Sequence, residues 1–302
     1  MIKFKSPVYP ISPSFDENEK LELLSTIKYL NYITKEEGKI VMTTAGTSQY
    51  NLLTIDEVRS LNLCVINNFK EQKILGLPAL SLKHVKEEIE FLNTICKSED
   101  KNKISLLILF PERYYDDEQI VEYFSEICEL SNFEVLVHGN VLKKGMGGTY
   151  EYSKPLLEKL SNIDGFIGMK EEAGNMMHST NNIPKGKLEV IVAGGSMRRF
   201  WSLEPHGATT YLVGVGSFYP KWEELFYDNY LKNNITKCTE IIQNIETPLF
   251  EVFMSSGWHL SMRTSLKHLG FIKNDRKPFK QPTKEVESNI KNILNTIKSY
   301  EK

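Results

Sequence analysis

Short runs of β-branched and other apolar residues recur along the chain, at 39–43, 73–77, 104–110, 133–138, 165–169, 188–193 and 209–215. They are apolar nearly throughout instead of alternating, as parallel strands buried on both faces require. Between most of them apolar positions return at helical spacing, over 53–68, 84–96, 118–130 and 153–160. Strand starts fall roughly 20 to 35 residues apart, a βα repeat. With a first strand at 4–11, about eight βα units are expected, the number that closes a (β/α)8 TIM barrel. An open doubly wound α/β sheet gives a similar local pattern, but no G-x-G-x-x-G follows the first strand, which favours the barrel. Past about Pro220 the pattern turns helical, over 221–231, 235–253, 261–269 and 283–300. The expected division is a barrel domain over 1–220 and a C-terminal helical domain over 221–302.

Composition narrows the chemistry. With 302 residues, 41% hydrophobic and 25% charged, the chain supports a large core and is neither disordered nor membrane-like in composition. The net charge is −2 and the basic residues are scattered, so a nucleic-acid partner is not expected. The start, MIKFKSPVYPISPSF, lacks an apolar signal core, and no run approaches the roughly 18 apolar residues that span a bilayer. The expectation is a cytoplasmic protein without a membrane partner. Cys64, Cys96, Cys128 and Cys238 form no C-x-x-C pair, and the six histidines no H-E-x-x-H, so no metal site is expected. The chemistry falls to organic side chains.

In a parallel barrel the reacting groups sit where strands end. Those ends are polar here: Thr44 to Ser48, His138 to Asn140, Met169 to Glu172 and Ala193 to Ser196. Lys170 closes the run Gly-Phe-Ile-Gly-Met, where burial disfavours an ammonium and lowers its pKa. A neutral amine there adds to a ketone to give an imine that draws electrons from the adjacent carbon. The bland alternative is a solvent-facing lysine paired with Glu171 or Glu172. Gly46, Thr47 and Ser48 offer N–H groups and hydroxyls suited to a carboxylate or a proton relay, although ordinary βα loops carry the same residue types. Gly194 and Gly195 after the seventh run suit close backbone approach to a ligand, or a phosphate cradle in a rival class of barrel.

These positions carry a resemblance to the dihydrodipicolinate synthase / N-acetylneuraminate lyase family of class I pyruvate aldolases, over nearly the whole chain. The segment Gly168-Met169-Lys170-Glu171-Glu172-Ala173-Gly174-Asn175 resembles the family's imine-lysine motif. Thr47 with Leu53-Thr54-Ile55-Asp56-Glu57, Pro111 to Tyr115, Gly207 to Pro220, Lys267 to Gly270 and Arg276 to Phe279 add support. The resemblance implies a barrel with C-terminal helices, a covalent Schiff base on Lys170 with no separate cofactor, and a small-molecule 2-keto acid such as pyruvate as partner. It also implies a homodimer or homotetramer. Thr47 becomes a proton relay, Gly46, Ser48, Gly194 and Val215 substrate-binding positions, and Tyr114 or Tyr115 the tyrosine lent across the dimer interface.

Two departures fall where acid/base chemistry and specificity are written. His138 to Gly145 is similar to the family's Tyr-Asn-x-Pro-x-Arg-x-Gly, so His138 stands in place of the catalytic tyrosine. Tyrosine titrates near 10 and histidine near about 6.5, so His138 is the readier proton acceptor. Lys143 stands in place of an arginine that grips a carboxylate with two prongs, which an ammonium cannot copy. Gln49 replaces a loop glutamate. The expectation is an aldolase- or dehydratase-type lyase with Lys170 as nucleophile and His138 as base. The alternatives are synthase-like condensation of pyruvate with an aldehyde, and a non-catalytic keto-acid-binding barrel.

Overall fold

A computed structural model describes residues 4–43, 49–77, 81–96, 101–110, 113–114, 116–139, 142–144, 149–173 and 175–300. The chain divides into two compact units: one holds 1–5, 71–194 and 199–212, the other 6–70, 195–198 and 213–302.

The second unit opens with β1 (Val8–Pro10), α1 (Leu23–Lys35), β2 (Ile40–Met42) and α2 (Ile55–Asn68). β1 and β2 pair in parallel and are fully buried. α2 starts on a capping box: the Thr54 hydroxyl accepts from the Glu57 N–H, and the Glu57 carboxylate accepts from the Thr54 N–H at 2.9 Å. α1 buries Thr26, Tyr29, Leu30 and Ile33, one stripe at helical spacing.

The first unit holds β3 (Gln72–Leu77), α3 (Leu82–Ile95), β4 (Ile104–Ile108), β5 (Arg113–Tyr114), α4 (Asp117–Leu130), β6 (Glu134–Gly139), β7 (Leu142–Lys144), β8 (Thr149–Tyr150), α5 (Lys154–Leu160), β9 (Phe166–Glu171), α6 (Met176–Asn182), β10 (Glu189–Val192) and β11 (Thr210–Tyr211), with α7 (Met197–Leu203), all but its first two residues in this unit, before β11. β3, β4, β6, β9, β10 and β11 pair in that order, every pairing parallel. β4 is buried at every position, Ile-Ser-Leu-Leu-Ile, as a strand covered on both faces must be. Phe124 of α4 meets Phe166 of β9 edge to face at 5.5 Å, and Phe200 stacks on Tyr211 at 4.8 Å. A separate small sheet joins β5, β7 and β8.

The second unit closes with α8 (Pro220–Leu231), α9 (Ile235–Ile241), α10 (Thr247–Ser256), α11 (Trp258–His268) and α12 (Lys284–Ser299). The expected helix over 235–253 is interrupted by a π-helical stretch, Ile242–Glu246. Pro248 in the first turn of α10 cannot donate to the preceding turn, and the helical register shifts just before it. The expected strand over 209–215 shortens to β11, because Val215–Ser217 turns in a 3-10 helix whose Gly216 N–H is taken by Glu223. All four cysteines are buried and none is in a disulfide. No helix among the described residues is long and apolar enough to cross a membrane.

Along the chain, eight of these strands, counting β1, β2 and the six parallel strands of the first unit, alternate with helices, the complement of a (β/α)8 barrel.

Candidate active site

β9 runs two residues past the apolar stretch, so Lys170 lies within the strand and Glu172 directly follows it. In the β6–β9 ladder Lys170 stands opposite His138. Partners in register project to the same side of a sheet, and the Lys170 Nζ lies 2.8 Å from the His138 Nε2. Both residues are buried, Lys170 at 1% and His138 at 3% exposure. The bland expectation of a solvent-facing lysine therefore fails, although its pairing with Glu172 is present.

Lys170 and Glu172 are two residues apart and share a side of the strand. One carboxylate oxygen of Glu172 contacts both the Lys170 amine and the His138 Nε2. The Glu172 side chain is 40% exposed, in contrast to the buried amine it contacts. Burial and the neighbouring Lys170 charge push the His138 imidazole below its ordinary value, against the opposing pull of Glu172. Burial raises the Glu172 carboxyl, but the bond to His138 and the charge of Lys170 outweigh it and hold the group below the usual carboxylate range. The His138 Nδ1 has no hydrogen-bond partner among the described residues.

Behind the strand, Glu171 faces the other way. Its buried carboxylate accepts from Arg199 of α7 at 2.9 Å, from the Ser179 hydroxyl of α6 at 2.6 Å and from the Ala173 N–H at 2.7 Å. Those bonds anchor the end of β9 against the helices of its own unit. Glu172 and the Glu171 clamp were not assigned from sequence. A Glu-Glu pair after the lysine was the available signal, but it does not tell which carboxylate turns inward.

Of the other expected site residues, Gly194 is the second residue past β10 and has a left-handed φ of +91°, a conformation suited to glycine. Val215 is buried at the start of a 3-10 turn in the second unit. Lys143 lies on β7 and Tyr114 on β5; in that ladder Arg113 pairs with Lys143 and Tyr114 with Lys144. Gln49 is buried with a φ of +51°, and its Oε1 has no partner among the described residues. Gly46, Thr47, Ser48 and Tyr115 lie outside the described residues.

A buried amine, an imidazole at hydrogen-bond distance and a bridging carboxylate form a set able to pass protons while the amine bonds to carbon. No family model matches the chain. Over 289 residues, 91% of this chain and 92% of the relative, it is 23% identical to the 4-hydroxy-tetrahydrodipicolinate synthase of Karelsulcia muelleri (strain GWSS). Its structure resembles N-acetylneuraminate lyase from Fusobacterium nucleatum with a TM-score of 0.83, at 15% identity over 97% of this chain and 98% of that one. It also resembles a chloride-inhibited dihydrodipicolinate synthase from Acinetobacter baumannii, complexed with pyruvate, with a TM-score of 0.82 at 15% identity over 98% and 99% of the two chains. The fold is thus the (β/α)8 barrel with C-terminal helices. In sequence and in fold the chain is similar to enzymes of the dihydrodipicolinate synthase / N-acetylneuraminate lyase family.

Proposed function

We propose that the protein is a Schiff-base-forming lyase of the class I aldolase type, acting on a polar, sugar-derived 2-keto acid and releasing or using pyruvate. The observation that carries this reading is the buried Lys170 amine 2.8 Å from the His138 imidazole. The similar synthase from Acinetobacter baumannii binds pyruvate, which supports the ligand class. Lys170 is the nucleophile: it yields a proton to His138 and adds to the ketone carbon. The carbonyl electron pair passes to oxygen, which is protonated and leaves as water, so ammonium plus ketone becomes iminium plus water.

In cleavage, His138 takes the proton of a substrate hydroxyl, the adjacent carbon–carbon bond breaks, and its electron pair enters the iminium to leave an aldehyde and an enamine. The proton returns to the enamine carbon, and water then frees pyruvate and the amine. In dehydration a hydroxyl leaves instead as water. Thr47 relays protons, the backbone of Gly46 to Ser48 and of Gly194 cradles the carboxylate and hydroxyls, Lys143 and Val215 line the substrate, and Tyr114 or Tyr115 reaches across a dimer interface. The Schiff base on Lys170 replaces any separate cofactor. The protein works as a cytoplasmic homodimer or homotetramer, its barrel spanning 1–220 and its helical domain 221–302.

Pyruvate plus borohydride tests the reading. A reduced adduct on the Lys170 peptide, absent from Lys170→Ala, is expected by mass spectrometry; wild-type protein without adduct refutes the mechanism. The name of the Karelsulcia relative favours a second reading, condensation of pyruvate with an aldehyde. Turnover of pyruvate with aspartate semialdehyde, exceeding pyruvate release from 2-keto-3-deoxy acids, decides for it.

A further inference from the structure

Resting on the Schiff-base reading of Lys170, we infer that Glu172 is a catalytic residue of this chain, the carboxylate that lets His138 take the lysine's proton and return it. The geometry is a closed triangle: Nζ of Lys170 to Nε2 of His138 at 2.8 Å, with Glu172 Oε2 bonded to both. Nε2 is a single site. When bare it accepts from the ammonium; when protonated it donates to the carboxylate; it cannot do both with one proton. The proton therefore moves from Nζ to Nε2 with no heavy atom displaced, and the imidazolium so formed already holds its counter-charge.

That counter-charge is needed. On ordinary values a lysine ammonium holds its proton about four pH units more tightly than an imidazolium, so the transfer is uphill unless the product is stabilised. Burial and the Lys170 charge both oppose a charged imidazole, and among the described residues Lys170 and Glu172 are the charged groups that face it. Glu171, next in sequence, is committed to Arg199 and Ser179 on the opposite side of the strand. The position of Glu172 fits exchange with substrate as well: its side chain is 40% exposed whereas that of Lys170 is 2% exposed, so the carboxylate can swing toward solvent while the amine stays put. With the proton on His138, the neutral amine attacks the ketone. The same proton then goes to the departing hydroxyl, which leaves as water, and the imidazole is neutral again.

The test uses the full chain as wild type, Glu172→Gln, which keeps shape and removes charge, and Glu172→Asp. The rate of borohydride-trapped pyruvate adduct on Lys170 is followed from about pH 5 to 9, with circular dichroism verifying the fold. Glu172→Gln is expected to slow trapping about 10²-fold at neutral pH, within the range of general acid–base effects. Its acid limb is expected to move to lower pH, because an imidazole without its carboxylate is less basic. Glu172→Asp recovers part of the rate. Trapping by Glu172→Gln at the wild-type rate, or an equal slowing at every pH with the profile unmoved, overturns the inference while leaving Lys170 as nucleophile. Wild type without adduct removes the Schiff-base reading and this inference with it.

Discussion

Lys170 and Glu171 are neighbours in sequence that face opposite sides of β9. The lysine meets His138 and Glu172, whereas the glutamate is buried against Arg199 of α7 and Ser179 of α6. Strand alternation separates the cluster of Lys170, His138 and Glu172 from a buried ion pair by a single peptide bond. The Arg199 Nη2 also donates to the Ala173 carbonyl at 2.8 Å, so the segment carrying Lys170 and Glu172 is held from behind.

Removing Arg199 leaves the Glu171 carboxylate buried without its cation, a change that costs about 3 to 5 kcal/mol. Arg199→Ala is expected to lower unfolding free energy by about that amount in urea titration. Ser179→Ala, which deletes one hydrogen bond to the same carboxylate, costs about 1 to 2 kcal/mol. Equal stabilities for Arg199→Ala and wild type would contradict the clamp.

His138 links activity to pH in a definite direction. Its imidazole sits below the ordinary value through burial and the Lys170 charge, so the folded protein binds this proton less well than the unfolded chain. The associated stability is present above about pH 6.5 and is lost as pH falls through the lowered value. Replacing the ring by His138→Asn is expected to flatten that part of the stability-versus-pH curve. It also lowers kcat/KM about 10²- to 10⁴-fold if the imidazole is the base. An unchanged pH slope in denaturant titrations counts against a buried neutral ring.

Gly168 carries a separate constraint on the same strand. A Cβ built there would lie 2.1 Å from the Glu189 carbonyl oxygen and 2.7 Å from the Glu189 Cβ, so β9 and β10 must move apart to admit it. Gly168→Ala is expected to cost about 1 to 3 kcal/mol or more and to slow adduct formation by displacing Lys170 two residues on. A variant with wild-type melting temperature and trapping rate would show that the strands yield freely.

The sequence made β4, β6 and β10 legible because a strand buried on both faces must be apolar along its length, and the run is then visible without its partners. It also marked Lys170, a cationic group at the end of such a run. Glu172 was hidden because the imidazole it meets, His138, lies 34 residues away, and no local pattern says which of two adjacent carboxylates meets it. β7 and β8 escaped for another reason: strands of three and two residues around a glycine-rich stretch are too short to display a period. The break between α9 and α10 was signalled by Pro248, which a purely periodic reading passes over.

Glu57 and Arg276 extend the same reasoning to the second unit. Arg276 grips the Glu57 carboxylate with both terminal nitrogens, at 2.5 and 2.6 Å, and also donates to the carbonyls of Glu19 and Leu52. Its guanidinium lies 4.2 Å over the Phe15 ring. The hydrogen bonds from Arg276, with that from the Thr54 N–H, overcome burial and bring the Glu57 carboxyl from 4.5 to about 2. A carboxylate with a depressed folded value stabilises the protein above its unfolded value and loses that contribution as pH falls. The contribution, about 1 to 2 kcal/mol at neutral pH once solvent screening of a partly exposed pair is allowed for, should be complete above about pH 5 and decline steadily toward pH 2. Arg276→Ala is expected to remove most of it at neutral pH and to flatten the decline, while Arg276→Lys, unable to bond in two prongs, recovers only part. Urea titrations of the three proteins between about pH 3 and 7 check this; parallel curves for wild type and Arg276→Ala would mean that Glu57 owes its low value to the helix cap alone.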